Sequence, residues 1–170
     1  MQENHLLTSD EKLKYWGYGE WVEEPDEVYF IHDGIECRIH RMFAKECSAH
    51  LFGGHLCGYI SIPNDNSCYE KHYDDIEIEV HGGLTYAELE NDGKYWVGFD
   101  CAHSMDYVPS TEYLYKTDPQ MIKIKKRNQE LKEHLGLHGS PIFNNSYKNI
   151  QFCINECKSM AEQLNALTNK

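Results

Sequence analysis

Val28-Tyr29-Phe30-Ile31, His32-Asp33-Gly34 and Ile35-Glu36-Cys37-Arg38-Ile39-His40-Arg41-Met42 decide the fold of this chain. Two runs of apolar, aromatic and β-branched residues flank Asp-Gly, a pair suited to the positive φ angles of a tight hairpin turn. Successive strand side chains point to opposite sides. Ile35, Cys37, Ile39 and Arg41 therefore share one face, and Glu36, Arg38, His40 and Met42 the other. Working outward, residues 56–62 read as a strand stopped by Pro63, and Gly53-Gly54 before it reads as a turn. Ile76-Glu77-Ile78-Glu79-Val80 alternates cleanly, which predicts a strand with one buried and one wet face. His81-Gly82-Gly83 interrupts it as a turn or bulge. Residues 95–99 form a further predicted strand, directly after the Asn91-Asp92-Gly93 turn.

Helical spacing frames these strands. Thr8-x-x-Glu11 has capping-box form, and Leu13 and Trp16 supply an apolar edge before Gly17. Residues 118–135 are rich in Lys and Glu, with apolar spacing at Met121, Ile124 and Leu131. The segment 110–145 reads as a helical and loop excursion from the core, punctuated by Pro119, Gly136, Gly139 and Pro141. A last helix carries Ile150, Cys153, Ile154, Cys157, Ala161 and Leu164 on one stripe, with Asn145-Ser146 as its expected cap. A helix, several strands and a packing helix predict an α+β single domain: a mainly antiparallel sheet packed by N- and C-terminal helices.

At 170 residues the chain can bury roughly 70% of its unfolded surface, so neither disulfide nor metal is needed for a core. The net charge of −12 opposes binding of polyanionic nucleic acid and of anionic lipid. It leaves a small anionic ligand open, because a few local donors outweigh a distant field once water is excluded. No basic n-region, apolar h-region or long apolar run is present, and the seven Cys form no Cys-x-x-Cys pair. The expectation is a cytoplasmic protein with free buried thiols and no membrane partner.

Chemistry-bearing residues gather between Asp74 and Asp106. His81, Gly82, Gly83 and Thr85 follow one predicted strand, and Asp100, His103 and Asp106 follow another. Small residues permit close backbone approach, and strand ends hold side chains rigidly. If the two strands are neighbours, these residues converge on one pocket, with Asp75 nearby in sequence. Arg38 and His40 share a strand face and offer the positive end of a site for phosphate or carboxylate; the plainer reading is a solvated face with Glu36 as the ion-pair partner. His81 has a plainer reading as a turn-fixing residue, and Asp100 as a turn cap. Cys101 and His103 fall two apart, which allows a thiol–imidazole pair, although core packing suits Cys101 better. A mixed His/Asp set suits zinc or manganese, but no His-x-His or His-Glu-x-x-His spacing supports it. No metal or other cofactor is therefore expected.

Leu56-Cys57-Gly58-Tyr59, His81-Gly82-Gly83-Leu84-Thr85, Gly98-Phe99-Asp100-Cys101-Ala102-His103 and the helix carrying Glu156-Cys157 and 161–164 occur in that order. In this the chain resembles a set of small, uncharacterised phage and prophage-borne bacterial proteins. The resemblance brings no known reaction. It implies a mobile-element setting, in which small proteins bind or destroy host immune nucleotide signals. The leading expectation is capture of a small nucleotide-derived ligand, ADP-ribose-like or a cyclic nucleotide, by a homo-oligomer. A hydrolase using His81, His103 and Asp100 as acid–base residues is the alternative. A third reading is an acidic inhibitor of a host enzyme.

Overall fold

A computed structural model describes residues 1–44, 52–136 and 145–168. Among the described residues six strands form one antiparallel sheet: β1 (Gln2–Asn4), β2 (Glu27–His32), β3 (Ile35–Ala44), β4 (Phe52–Ile62), β5 (Tyr86–Leu89) and β6 (Tyr95–Asp100). Their order across the sheet is β1-β2-β3-β4-β6-β5. The helices are α1 (Ser9–Trp16), α2 (Pro109–Thr117), α3 (Pro119–His134) and α4 (Ile150–Thr168). The architecture is α+β, with α4 on one sheet face. Among the described residues no helix is long and apolar enough to cross a membrane.

The Asp33-Gly34 hairpin forms as its sequence dictates, with positive φ at both residues and His32 paired with Ile35. Ile35, Cys37, Ile39 and Arg41 all point to the buried side. There Ile35, Cys37 and Ile39 meet the α4 stripe, in which Cys153, Cys157, Met160, Ala161 and Leu164 are fully buried. Each large aliphatic side chain buried here contributes about 1.5–3 kcal/mol. Gly58 lets the helix come close: a β-carbon at that position would lie 2.8 Å from Cys157 Sγ and would overlap the Phe99 ring.

Three local expectations are corrected. Gly53-Gly54 is not a turn but part of β4, where a bulge opposite Arg41 and Phe43 shifts the register. Both glycines have positive φ, and a β-carbon on Gly53 would overlap the Met42 carbonyl. Residues 76–80 keep the predicted alternation, with Ile76 and Ile78 buried, yet they form no sheet strand. Their backbone is bonded by α4 side chains instead. Gln163 Oε1 accepts from Glu79 N–H at 2.8 Å, and Gln163 Nε2 donates to the Glu79 carbonyl at 2.8 Å. The cap of α4 is Asn149, not Asn145-Ser146: its side-chain oxygen accepts from Phe152 N–H at 3.0 Å. The excursion holds α2 as well as the expected α3, whose N-terminus the Asp118 carboxylate caps. Gly139 and Pro141 lie outside the described residues, as does Cys47 of the seven thiols; the other six are free and buried.

The N-terminal segment is tied down by buried charge. The capping box at Thr8 and Glu11 starts α1. Its Lys12, fully buried, reaches Asp26 Oδ1 at 2.8 Å and donates to the Glu24 carbonyl. Arg41 Nε meets the same Asp26 oxygen at 2.7 Å, and its other nitrogens reach Glu24 Oε2, the Gly54 carbonyl and Tyr147 OH. Asp26 Oδ2 accepts from Leu7 N–H at 2.7 Å. Two cations and two carboxylates balance, and Trp16, Trp21 and Val22 close over them as a second apolar cluster. Removing one partner of such a network leaves its counter-charges buried and unpaired. Asp26→Ala is expected to destabilise the fold by about 3–5 kcal/mol, read as a lowered urea midpoint; a loss within 1 kcal/mol contradicts this account of the network.

Candidate functional site

The turn after residue 80 and the turn after β6 meet. Gly83 N–H donates to the Val80 carbonyl at 2.9 Å, with Gly82 in the left-handed region, and this turn presents His81. Glu156 of α4 fixes the backbone there by accepting from His81 N–H at 2.8 Å. On the other side, Asp106 N–H donates to the His103 carbonyl at 2.9 Å, and His103 N–H donates to Asp106 Oδ2 at 3.0 Å. The Asp106 side chain is only 1% exposed. It holds both imidazoles: His81 Nε2 lies 3.0 Å from each carboxylate oxygen, and His103 Nδ1 lies 3.3 Å from Oδ2. The two rings meet edge to face with centroids 5.4 Å apart. Their side chains remain 23% and 32% exposed, so each keeps a side toward solvent.

The surroundings are shaped for this pair. A β-carbon on Gly82 would overlap the His103 ring, so the glycine is required by both its φ and its neighbour. Phe152 of α4 packs edge-on against His81 at 5.3 Å. Lys148 Nζ donates to Ser146 Oγ at 2.7 Å and stands 4.0 Å from Asp106 Oδ1. Asp100 Oδ1 is 3.8 Å from His103 Nδ1, and it also accepts from Ala102 N–H at 3.0 Å. His55 on β4 belongs to the same end of the sheet. Its buried Nδ1 has no hydrogen-bond partner among the described residues, and burial holds the imidazole below its ordinary pKa against the opposing pull of Asp100 and Asp106.

Of the residues singled out in the sequence, the structure brings together His81, Gly82, Asp100, His103 and Asp106. Gly83 closes the His81 turn with open space at its α-carbon. Thr85 is exposed where its N–H joins the Gly98 carbonyl, and Asp75 is exposed at the far end of the 76–80 segment. Neither has a side-chain bond to the imidazoles among the described contacts. Arg38 and His40 do not join the cluster: they lie on the opposite sheet face from α4. The Arg38 guanidinium sits 4.1 Å from the Trp96 ring and 4.7 Å from the Tyr59 ring, and is clamped by both oxygens of Glu90. The expected Glu36 partner pairs with Lys94 instead. A concavity of about 990 Å³ lies on that face, yet Glu36, Glu88, Glu90 and Asp92 line it against Arg38 and Lys94. Its negative balance disfavours a phosphate. His40 is bonded to Tyr29 OH at 2.9 Å, and burial holds its pKa down.

Cys101 follows the core-packing reading rather than the thiol–imidazole one. Cys101 Sγ turns into the core, 3.8 Å from Cys153 Sγ, and this contact together with burial raises its pKa far above the range of a reactive thiol. Asp106, rather than Asp100, is the carboxylate that orients the histidines. His55, Lys148, Phe152 and Glu156 carried no local signal, because each joins the cluster from a distant strand or helix. No protein-family profile, curated protein or solved structure matches the chain.

Two outcomes follow from this geometry. Gly82→Ala is expected to cost roughly 1–3 kcal/mol through its strained φ and the overlap with His103. It should also shift the His103 ring resonances in an imidazole NMR spectrum; unchanged resonances contradict the packing. For acid stability, His40 and His55 have folded pKa values lowered by burial. Below about pH 6.5, the ordinary imidazole value, the unfolded chain binds more protons at these positions. Their contribution to stability is present above that pH and is lost as pH falls through the folded values. The His40→Gln, His55→Gln double variant should flatten the dependence of the urea midpoint between about pH 5 and 7. An unchanged slope assigns acid sensitivity to other groups.

Proposed function

We propose that this protein captures a small phosphorylated, nucleotide-derived ligand at the His81–Asp106–His103 cluster. The supporting observation is that two partly exposed imidazoles are held by one buried carboxylate where the two loop motifs meet. Polar groups fixed in two braced turns, beside an aromatic wall, are what a small-molecule site requires. Phe152 supplies that wall, and Lys148 supplies a cationic donor within reach. Cys101 is turned into the core and does not face the site as a nucleophile. The resemblance to phage and prophage proteins makes ADP-ribose-like molecules and cyclic nucleotides the first ligands to test.

A second reading, hydrolysis of a phosphodiester, draws on the same pair. Two imidazoles 5.4 Å apart are spaced to serve as base and acid on either side of a scissile bond. Incubation with a panel of ADP-ribose and cyclic nucleotides, followed by denaturation and mass spectrometry, separates the two. Capture predicts one equivalent of unaltered ligand, lost at least 10-fold in affinity in His103→Ala. Multiple turnovers lost in the same variant establish cleavage and remove capture. Retention of no ligand by the wild-type chain removes both.

A further inference from the structure

We propose that His81, His103 and Asp106 form a binding site for a divalent transition-metal ion of the zinc class. The ligand-type atoms of these three residues all lie within 4.8 Å of one another. Their separations are compatible with shared coordination. His81 Nε2 is 3.0 Å from both Asp106 oxygens, and His103 Nδ1 is 3.3 Å from Oδ2. Two donors each about 2.0–2.1 Å from one ion, at angles near those of a tetrahedron or octahedron, stand roughly 3.0–3.4 Å apart. The two imidazole–carboxylate spacings thus fall in the range of a coordination edge, and the imidazole nitrogens lie within 4.8 Å of each other. An ion bound here would take the place of the protons between carboxylate and imidazoles.

The supports of a metal site are also in place. The Glu156 carboxylate fixes the His81 backbone, Gly82 packs under the His103 ring, and the His103 amide orients Asp106. Outer contacts of this kind set ligand orientation at metal centres. Two histidines and one carboxylate leave coordination positions free, as in sites that receive a water or a ligand. Lys148 stands close by, at 4.0 Å from Asp106, and its bond to Ser146 Oγ gives it a resting place off the carboxylate.

The inference deepens the ligand reading and rests on it only for what fills the open side. Asp100, Asp106 and Glu156 surround the imidazoles in a chain of net charge −12. A phosphate approaching that cluster meets carboxylates, and a divalent ion reverses the local sign.

Cobalt(II) titration of the chelator-treated 170-residue chain, followed by visible absorption, tests the site. One equivalent should bind with a d–d spectrum free of thiolate charge transfer. Affinity should fall roughly 100-fold or more in His103→Ala and in His81→Ala. Zinc added to the wild-type chain should shift the ring-nitrogen resonances of His81 and His103. A second trio, His32, Asp33 and Glu162, lies on the β2–β3 hairpin and against α4, and His32→Ala should leave binding unchanged. No cobalt spectrum, a thiolate charge-transfer band, or a signal lost in His32→Ala but kept in His103→Ala overturns the proposal. Cobalt binding at one equivalent with no nucleotide retained upholds the metal site and removes capture. Nucleotide retained in excess chelator, with no cobalt spectrum, does the reverse.

Discussion

Arg41 sits on the core face of β3, where every other inward position is apolar, and the molecule is organised around satisfying it. Its guanidinium joins α1 through Asp26 and Lys12, β4 through the Gly54 carbonyl, and the approach to α4 through Glu24 and Tyr147. A buried cation of this kind costs several kcal/mol to desolvate and is tolerated only when each donor is met. Glu24 also accepts from Ile150 N–H at 2.9 Å, so the network sets where the last helix begins.

That setting reaches the histidine cluster. The strand-like bridge between Asp106 and Ser146 fastens the turn after β6 to the segment leading into α4. Tyr107 N–H donates to the Ser146 carbonyl at 3.0 Å, and its ring stacks on Trp21 of the second apolar cluster at 5.5 Å. Asp106 is therefore immobilised from two directions. It faces the carboxylate network through Tyr107 and Tyr147, and α4 through Ser146 and Lys148. Rigidity in the carboxylate is what keeps two solvent-facing imidazoles in one arrangement.

Much of this was legible in sequence where the signal was local. The Asp33-Gly34 hairpin, the Thr8 capping box and the alternation at 35–41 each rest on contacts a few residues long. Alternation at 76–80 reported burial correctly and bonding partner wrongly, because periodicity records which side chains are covered and says nothing about what the backbone pairs with. Gly53-Gly54 resembled a turn since glycine serves both turns and bulges. The short strands β1 and β5 carry too few residues for a periodic signal. For the site, His81, His103 and Asp106 were visible as residue types at strand ends. Glu156, Lys148 and His55 were not, because each is brought in by packing over a long sequence separation.

The segment from 76 to 80 runs beside α4, tied to it through Gln163 and Glu156. Ile76 and Ile78 are sunk in the main core although their backbone belongs to none of the six strands. The seat of the His81 imidazole is therefore built by side-chain packing and the last helix, and that of His103 by the turn after β6, so the two halves of the cluster are positioned by different kinds of bond.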